Sequence, residues 1–181
     1  MLEAIRNRRS IRSYTPKDVD DALVHELLES ARIAPSGSNK QPWAFIVVRE
    51  DKMREAITHA CHNQEWMLQA PVFFVCVADL ARRMDVAAGT ELTETSPEWE
   101  AKAIVRDTAI ATEHIVLQAE DLGLSTCWIA WFEQEKIRSL LSIPPDKYAV
   151  AVITVGYSDA TPGPQERLPL EEIVHFERWG A

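Results

Sequence analysis

The chain is poor in cysteine. Its 181 residues hold three, Cys61, Cys76 and Cys127. They are too few and too far apart for a disulfide framework or a structural zinc site, and their odd number fits a reducing compartment. Long apolar runs are lacking as well. The longest, residues 70–78 (APVFFVCVA) and 149–155 (AVAVITV), fall far short of a bilayer span. Their length and their valine and phenylalanine content predict buried strands. No apolar secretory segment lies near the start. The opening MLEAIRNRRSIRSY has some transit-peptide character, which Glu3 weakens. The expected setting is the cytoplasm. An excess of positive charge is missing too: 19 basic residues face 28 acidic ones, a net charge of −9. That balance argues against nucleic acid and anionic membranes as partners. It also makes any local arginine cluster more informative.

The common nucleotide fingerprints are absent. A doubly wound fold needs a glycine-rich turn after its first strand, and here the first predicted strand, residues 43–48 (WAFIVV), runs into REDKM without a glycine. Neither GxxxxGK[ST], GxSxG, HExxH nor a kinase signature occurs. What is present reads as one α+β domain over residues 1–181, with long helices flanking four or five strands. Helices are expected at 2–7, after Asp18 or Asp20, at 51–61, 101–122 and 133–141. Strands are expected at 43–48, 72–78, 125–131 and 148–156. Gly123 is placed to cap the long helix. That helix is apolar nearly all round and so belongs in the core or in a subunit interface. Residues 80–100 lack periodicity and suggest an irregular insert, a candidate substrate lid. The tail, 157–181, cannot build a core of its own and must pack on this domain or on a second copy.

Three constellations carry possible chemistry. Arg6, Arg8, Arg9 and Arg12 crowd four guanidinium groups into seven residues, with Ser10 among them. They repel one another unless an anion such as phosphate sits between them; the bland reading is a solvated basic helix end. Residues 35–42 (PSGSNKQP) bring hydroxyl and amide groups suited to the alternating donors and acceptors of a uracil-like ring edge. The bland reading is a polar connection. Residues 126–132 (TCWIAWF) lead from a strand toward a helix, a frequent place for backbone contacts to a cofactor, or simply an aromatic core strand. His59, Cys61 and His62 lack a second cluster to complete a metal site. Asp107, Glu113 and His114 on the long helix read as interface or capping groups. Trp66, Trp99 and Trp131 are candidate stacking residues, although packing is the commoner use of tryptophan.

In order and spacing, RRSIR (8–12), APSGSNKQPW (34–43), GLSTCWIAWF (123–132) and GY with the tail RLPLEEIV (156–174) resemble the FMN-dependent nitroreductase family over essentially the whole chain. The resemblance implies an α+β fold with a central mixed, mostly antiparallel sheet flanked by helices, in an intertwined homodimer whose tail packs on the partner subunit. It implies that Arg8, Arg9 and Ser10 hold the FMN phosphate and ribityl chain, and that Arg12 reaches the flavin pyrimidine ring. Pro35, Ser36, Ser38 and Asn39 match the loop at the flavin's other edge, contributed across the dimer. Ile129, Ala130 and Trp131 match the segment whose backbone lies near the isoalloxazine, and Arg167 matches a tail residue that returns to the phosphate. Many members carry glycine where this chain has Ala130 and Trp131, so Trp131 is placed to narrow or line the pocket. The implied activity takes hydride from NADH or NADPH and reduces an electron-poor small molecule, a nitroaromatic or a quinone, by ping-pong turnover. FMN would do the chemistry, so no protein nucleophile is needed. Reductive dehalogenation, flavin fragmentation and a non-catalytic flavin sensor are the alternatives.

Overall fold

The structure is a computed structural model that describes residues 1–87, 89–96 and 99–180. Its frame is one sheet. The strands are β1 (Trp43–Val48), β2 (Val72–Asp79), β3 (Ser125–Ile129) and β4 (Lys147–Gly156). They run in the order β1-β2-β4-β3, and every pair is antiparallel. The expected parallel component shrinks to a single bridge between Ser10 and Thr126. The α+β reading holds.

β2 lies in the middle and is buried along almost its whole length. Its side chains alternate between two apolar clusters, as a period of two requires. Phe73, Val75 and Val77 meet Ile57 of α3 (Asp51–Ala60) and Ile137 of α5 (Gln134–Leu141). Phe74 and Cys76 meet Leu27 of α2 (Asp21–Arg32) and Ile115 of α4 (Trp99–Asp121). Helices thus cover both faces. β4 keeps this division through a bulge: Cys76 pairs with Ala151, but Val77 pairs with Ala149. Val150 is the extra residue. It places Ala149 and Ala151 in opposite clusters, where a regular strand would put both on one face.

The long helix ends as its sequence foretells. Gly123 takes φ 72, and the Leu124 and Gly123 amides donate to the carbonyls of Ala119 (2.7 Å) and Glu120 (3.1 Å), a paired closure that favours glycine. β3 is shorter than expected. It stops at Ile129 rather than 131, and two residues after Trp131 the Glu133 amide donates to the carbonyl of Ala60, the last residue of α3, instead of to the sheet (3.2 Å).

The irregular segment after β2 is anchored midway. Leu92 is buried in a third apolar cluster with Leu80 and Ile104. The buried Arg138 of α5 donates to the carbonyls of Leu92 (3.0 Å) and Pro145 (3.1 Å) and pairs with Glu91 (2.9 Å). Past Gly156 the tail carries no buried residue among those described. It holds one short helix, α6 (Leu170–Ile173). No helix among the described residues is long and apolar enough to cross a membrane.

Candidate functional site

The arginine segment follows the first short helix, α1 (Glu3–Asn7), and is fixed against two strands. The Ile11 amide donates to Thr126 (2.9 Å), and the Thr15 amide donates to Tyr157 (2.8 Å). The Tyr14 hydroxyl donates to the Ile11 carbonyl (2.9 Å) and lies 2.7 Å from Thr154 Oγ1. Ile11 and Tyr14 are both buried, and burial pushes the Tyr14 phenol well above its ordinary pKa. Gly156 makes room for this segment. A methyl group there would sit 2.8 Å from the Pro71 ring and 3.0 Å from the Tyr14 ring.

Held this way, the four polar residues of the motif behave differently. Arg9 turns one guanidinium nitrogen onto the carbonyls of Arg6, Asn7 and Arg8 (2.8, 3.0 and 2.8 Å). This closes the end of α1, as the bland reading of the arginine cluster anticipates. Its Nε, however, is buried without a partner. Arg8 reaches Glu113 only at 3.9 Å. At that separation the carboxylate is a weak counter-charge; burial raises the Glu113 pKa and the Arg8 charge opposes that rise. Arg12 lies over the Trp66 ring, its Cζ 5.7 Å from the centroid. Ser10 lies beside the Cys127 thiol, whose pKa burial raises against the pull of Arg12, Ser10 and Arg8.

The polar loop is braced by α4. The Gly37 amide donates to Asp107 (3.1 Å), whose other near neighbour is Arg83 at 3.8 Å. The Thr108 hydroxyl donates to the Pro42 carbonyl (3.2 Å). Inside the loop the Gln41 amide donates to Ser36 Oγ (2.9 Å). Ser38, Asn39 and Gln41 take positive φ values of 52, 52 and 49, which cost energy for side-chain-bearing residues and often mark a built site. Pro35 is exposed at the loop's start. Asp107 and Glu113 lie six residues apart on one helix, about 9 Å along its axis. One rigid element therefore carries both the loop and the counter-charge of Arg8. The support given by Asp107 was not legible in the sequence, where it read as a capping or interface group. His114 has such a use: its Nδ1 lies 2.9 Å from the Ser30 carbonyl of α2.

Ile129 is buried at the end of β3, Ala130 is exposed, and Trp131 is 67% exposed. The Trp131 ring stacks on His62, centroids 4.1 Å apart and planes 22° apart. His62 and Asn63 sit in a left-handed turn, φ 57 and 56. The pairing joins two residues that the sequence treated separately. Cys61 beside them is buried, its thiol pushed up to about 12 by burial, so it is neither a ready nucleophile nor a ready ligand. Arg167 is not brought to the other arginines. It is exposed, and its one hydrogen bond among the described residues goes to the Glu166 carbonyl (3.1 Å). The side chain of Trp99 lies outside what is described.

The arrangement is an α+β scaffold with a guanidinium-rich cradle along an edge strand. Its fixed backbone, buried unpartnered Arg9 Nε and distant carboxylate fit an anion such as a phosphate monoester. A model of the nitroreductase family matches residues 5–157. A Thermus thermophilus protein named NADH dehydrogenase is 31% identical, the match covering 94% of this chain and 93% of that protein. The FMN reductase (NADPH) of Bacillus subtilis is 28% identical, with coverage of 96% and 72%. A nitroreductase family protein of known structure from Clostridium novyi NT is 34% identical and superposes with a TM-score of 0.75, covering 98% of this chain and 93% of its own. The chain belongs to the nitroreductase family.

Proposed function

We propose that the protein is a homodimeric NAD(P)H-dependent oxidoreductase that holds FMN and reduces an electron-poor acceptor, a nitroaromatic or a quinone, by ping-pong turnover. The observation that carries this reading is the arginine segment. It offers more guanidinium charge than its surroundings neutralise, on a backbone that cannot drift. When bound, FMN supplies the chemistry, taking hydride from NADH or NADPH and delivering two electrons to the acceptor.

The chain's own residues bind and orient. Arg8 and Arg9 hold the phosphate, which carries about two negative charges at neutral pH, and the Ser10 hydroxyl adds a donor. Because residues 10–12 are tied to β3, these donors need no reorganisation when charge changes nearby. Ser36, Ser38 and Asn39, with Pro35 shaping the loop, present polar groups to a flavin edge across the dimer. The backbone of Ile129 and Ala130 lines the ring. Trp131, backed by His62, walls the acceptor side. Arg167 reaches the phosphate when the tail packs on the partner. The tail needs such a surface: Phe176 is 76% exposed and Trp179 90% exposed, a cluster of apolar side chains that a lone soluble chain rarely leaves in water. Three free, buried cysteines support a cytoplasmic setting.

The phosphate assignment is tested by titrating FMN into the Arg8→Ala, Arg9→Ala double variant and following flavin fluorescence. Loss of two charge-assisted contacts predicts at least a hundredfold weaker binding, at about 1.5–3 kcal/mol each, with an unchanged far-UV circular dichroism spectrum. Unchanged affinity would remove the arginines from the site.

A further inference from the structure

Arg12 is the one arginine of the motif whose direction is set by an aromatic ring. It is exposed. Among the described residues it makes neither a hydrogen bond nor an ion pair, and its contact is the face of Trp66, 5.7 Å from Cζ to the ring centroid. That distance falls within the reach of a cation–π interaction, which is strongest with tryptophan. A free arginine side chain spreads over many rotamers, and such a contact biases it toward those that meet the ring.

The ring itself is not free to move. Trp66 is half-buried and packs against the cluster that contains Met67 and Phe73. It sits in a 3-10 turn (Glu65–Gln69). Arg54 holds the end of that turn by donating to the carbonyls of Leu68 (3.0 Å) and Ala70 (2.7 Å). The turn is also tied directly to the arginine segment, since the Tyr14 amide donates to Gln69 Oε1 (3.1 Å). The two halves of the cation–π pair are therefore cross-linked a few residues from each partner. The bridge between Ser10 and Thr126 is parallel, so the chain from Ser10 to Arg12 advances with β3 toward the Ile129–Trp131 end.

We propose that Trp66 is a positioning residue for Arg12: its indole face fixes the guanidinium at the flavin's pyrimidine edge, where the fixed charge favours the reduced cofactor. This rests on the reading of Arg12 as a flavin neighbour. Trp66 touches neither cofactor nor substrate in this account and acts only through Arg12.

The test is the two-electron midpoint potential of the FMN-loaded protein. Arg12→Ala shifts the equilibrium toward oxidised flavin about tenfold, which is about 30 mV for a two-electron couple. Trp66→Leu shifts it in the same direction by about threefold, the size of an exposed cation–π contact. Trp66→Phe, which keeps a ring, returns most of that shift. Trp66→Leu placed in the Arg12→Ala background adds nothing further. Should Trp66→Leu fail to fold, Trp66→Met keeps the bulk without the ring and takes its place. A Trp66→Leu potential equal to wild type, while Arg12→Ala shifts, overturns the proposal. So does a Trp66 effect that persists without Arg12. An Arg12→Ala protein that binds FMN with an unshifted potential overturns the placement of Arg12 and this inference with it. A wild-type chain that takes up no FMN overturns the functional reading as a whole.

Discussion

The arginine segment and the C-terminal tail are both irregular chain lying outside the four strands, and they behave in opposite ways. Residues 8–15 contain no helix and only one isolated bridge. They are nonetheless fixed, because two buried side chains, Ile11 and Tyr14, enter the core and three backbone amides find acceptors on other elements. The tail has apolar side chains of comparable size but buries none of those described. Its ties to the rest of the chain are made at its start, where the Tyr157 carbonyl accepts from the Thr15 amide (2.8 Å) and the Ser158 hydroxyl donates to the Ser13 carbonyl (2.6 Å). Regular structure is therefore not what immobilises a segment. Anchors are, and among the described residues the tail's apolar side chains enter no core of their own chain. This is why a second copy enters the functional reading.

The contrast breaks most visibly at the tail. A chain ending at Gly163 loses every large apolar side chain that the tail exposes. It is expected to sediment as a single chain at concentrations where the untruncated chain is expected to sediment as the proposed dimer. A truncated protein that remains dimeric would show that the tail does not build the interface. At the other region the change is smaller. Tyr14→Phe removes the hydroxyl that joins Ile11 and Thr154. It leaves two buried groups short of a partner, so it is expected to lower unfolding stability by about 1–3 kcal/mol. Urea denaturation reads this directly. A stability equal to wild type would mean that the hydroxyl does not anchor the segment.

The same distinction explains what was legible in the sequence. Residues 43–48, 72–78 and 148–156 announced strands because their apolar residues are contiguous and β-branched. Gly123 announced the end of the long helix because a positive φ there favours glycine. The order of the four motifs announced the family. Features made by distant partners left no local trace. The bulge at Val150 shows only in the register with β2. The anchor at Leu92 is a single leucine in a polar stretch, and its partner Arg138 lies 46 residues away. Asp107 looks like any helix carboxylate until Gly37 is seen donating to it. Trp131 read as the end of a strand, whereas its ring belongs to a stack with His62. Arg12 and Trp66 each stand out in the sequence, but separately; their pairing, like the Tyr14–Gln69 tie beside it, shows only in the fold.

The most direct measurement of the central claim is an absorbance spectrum of the purified protein, taken anaerobically before and after adding NADH or NADPH. The account predicts flavin bands that bleach on addition and return when a quinone or nitroaromatic is supplied. A spectrum without flavin bands, unchanged when FMN is added, would contradict it.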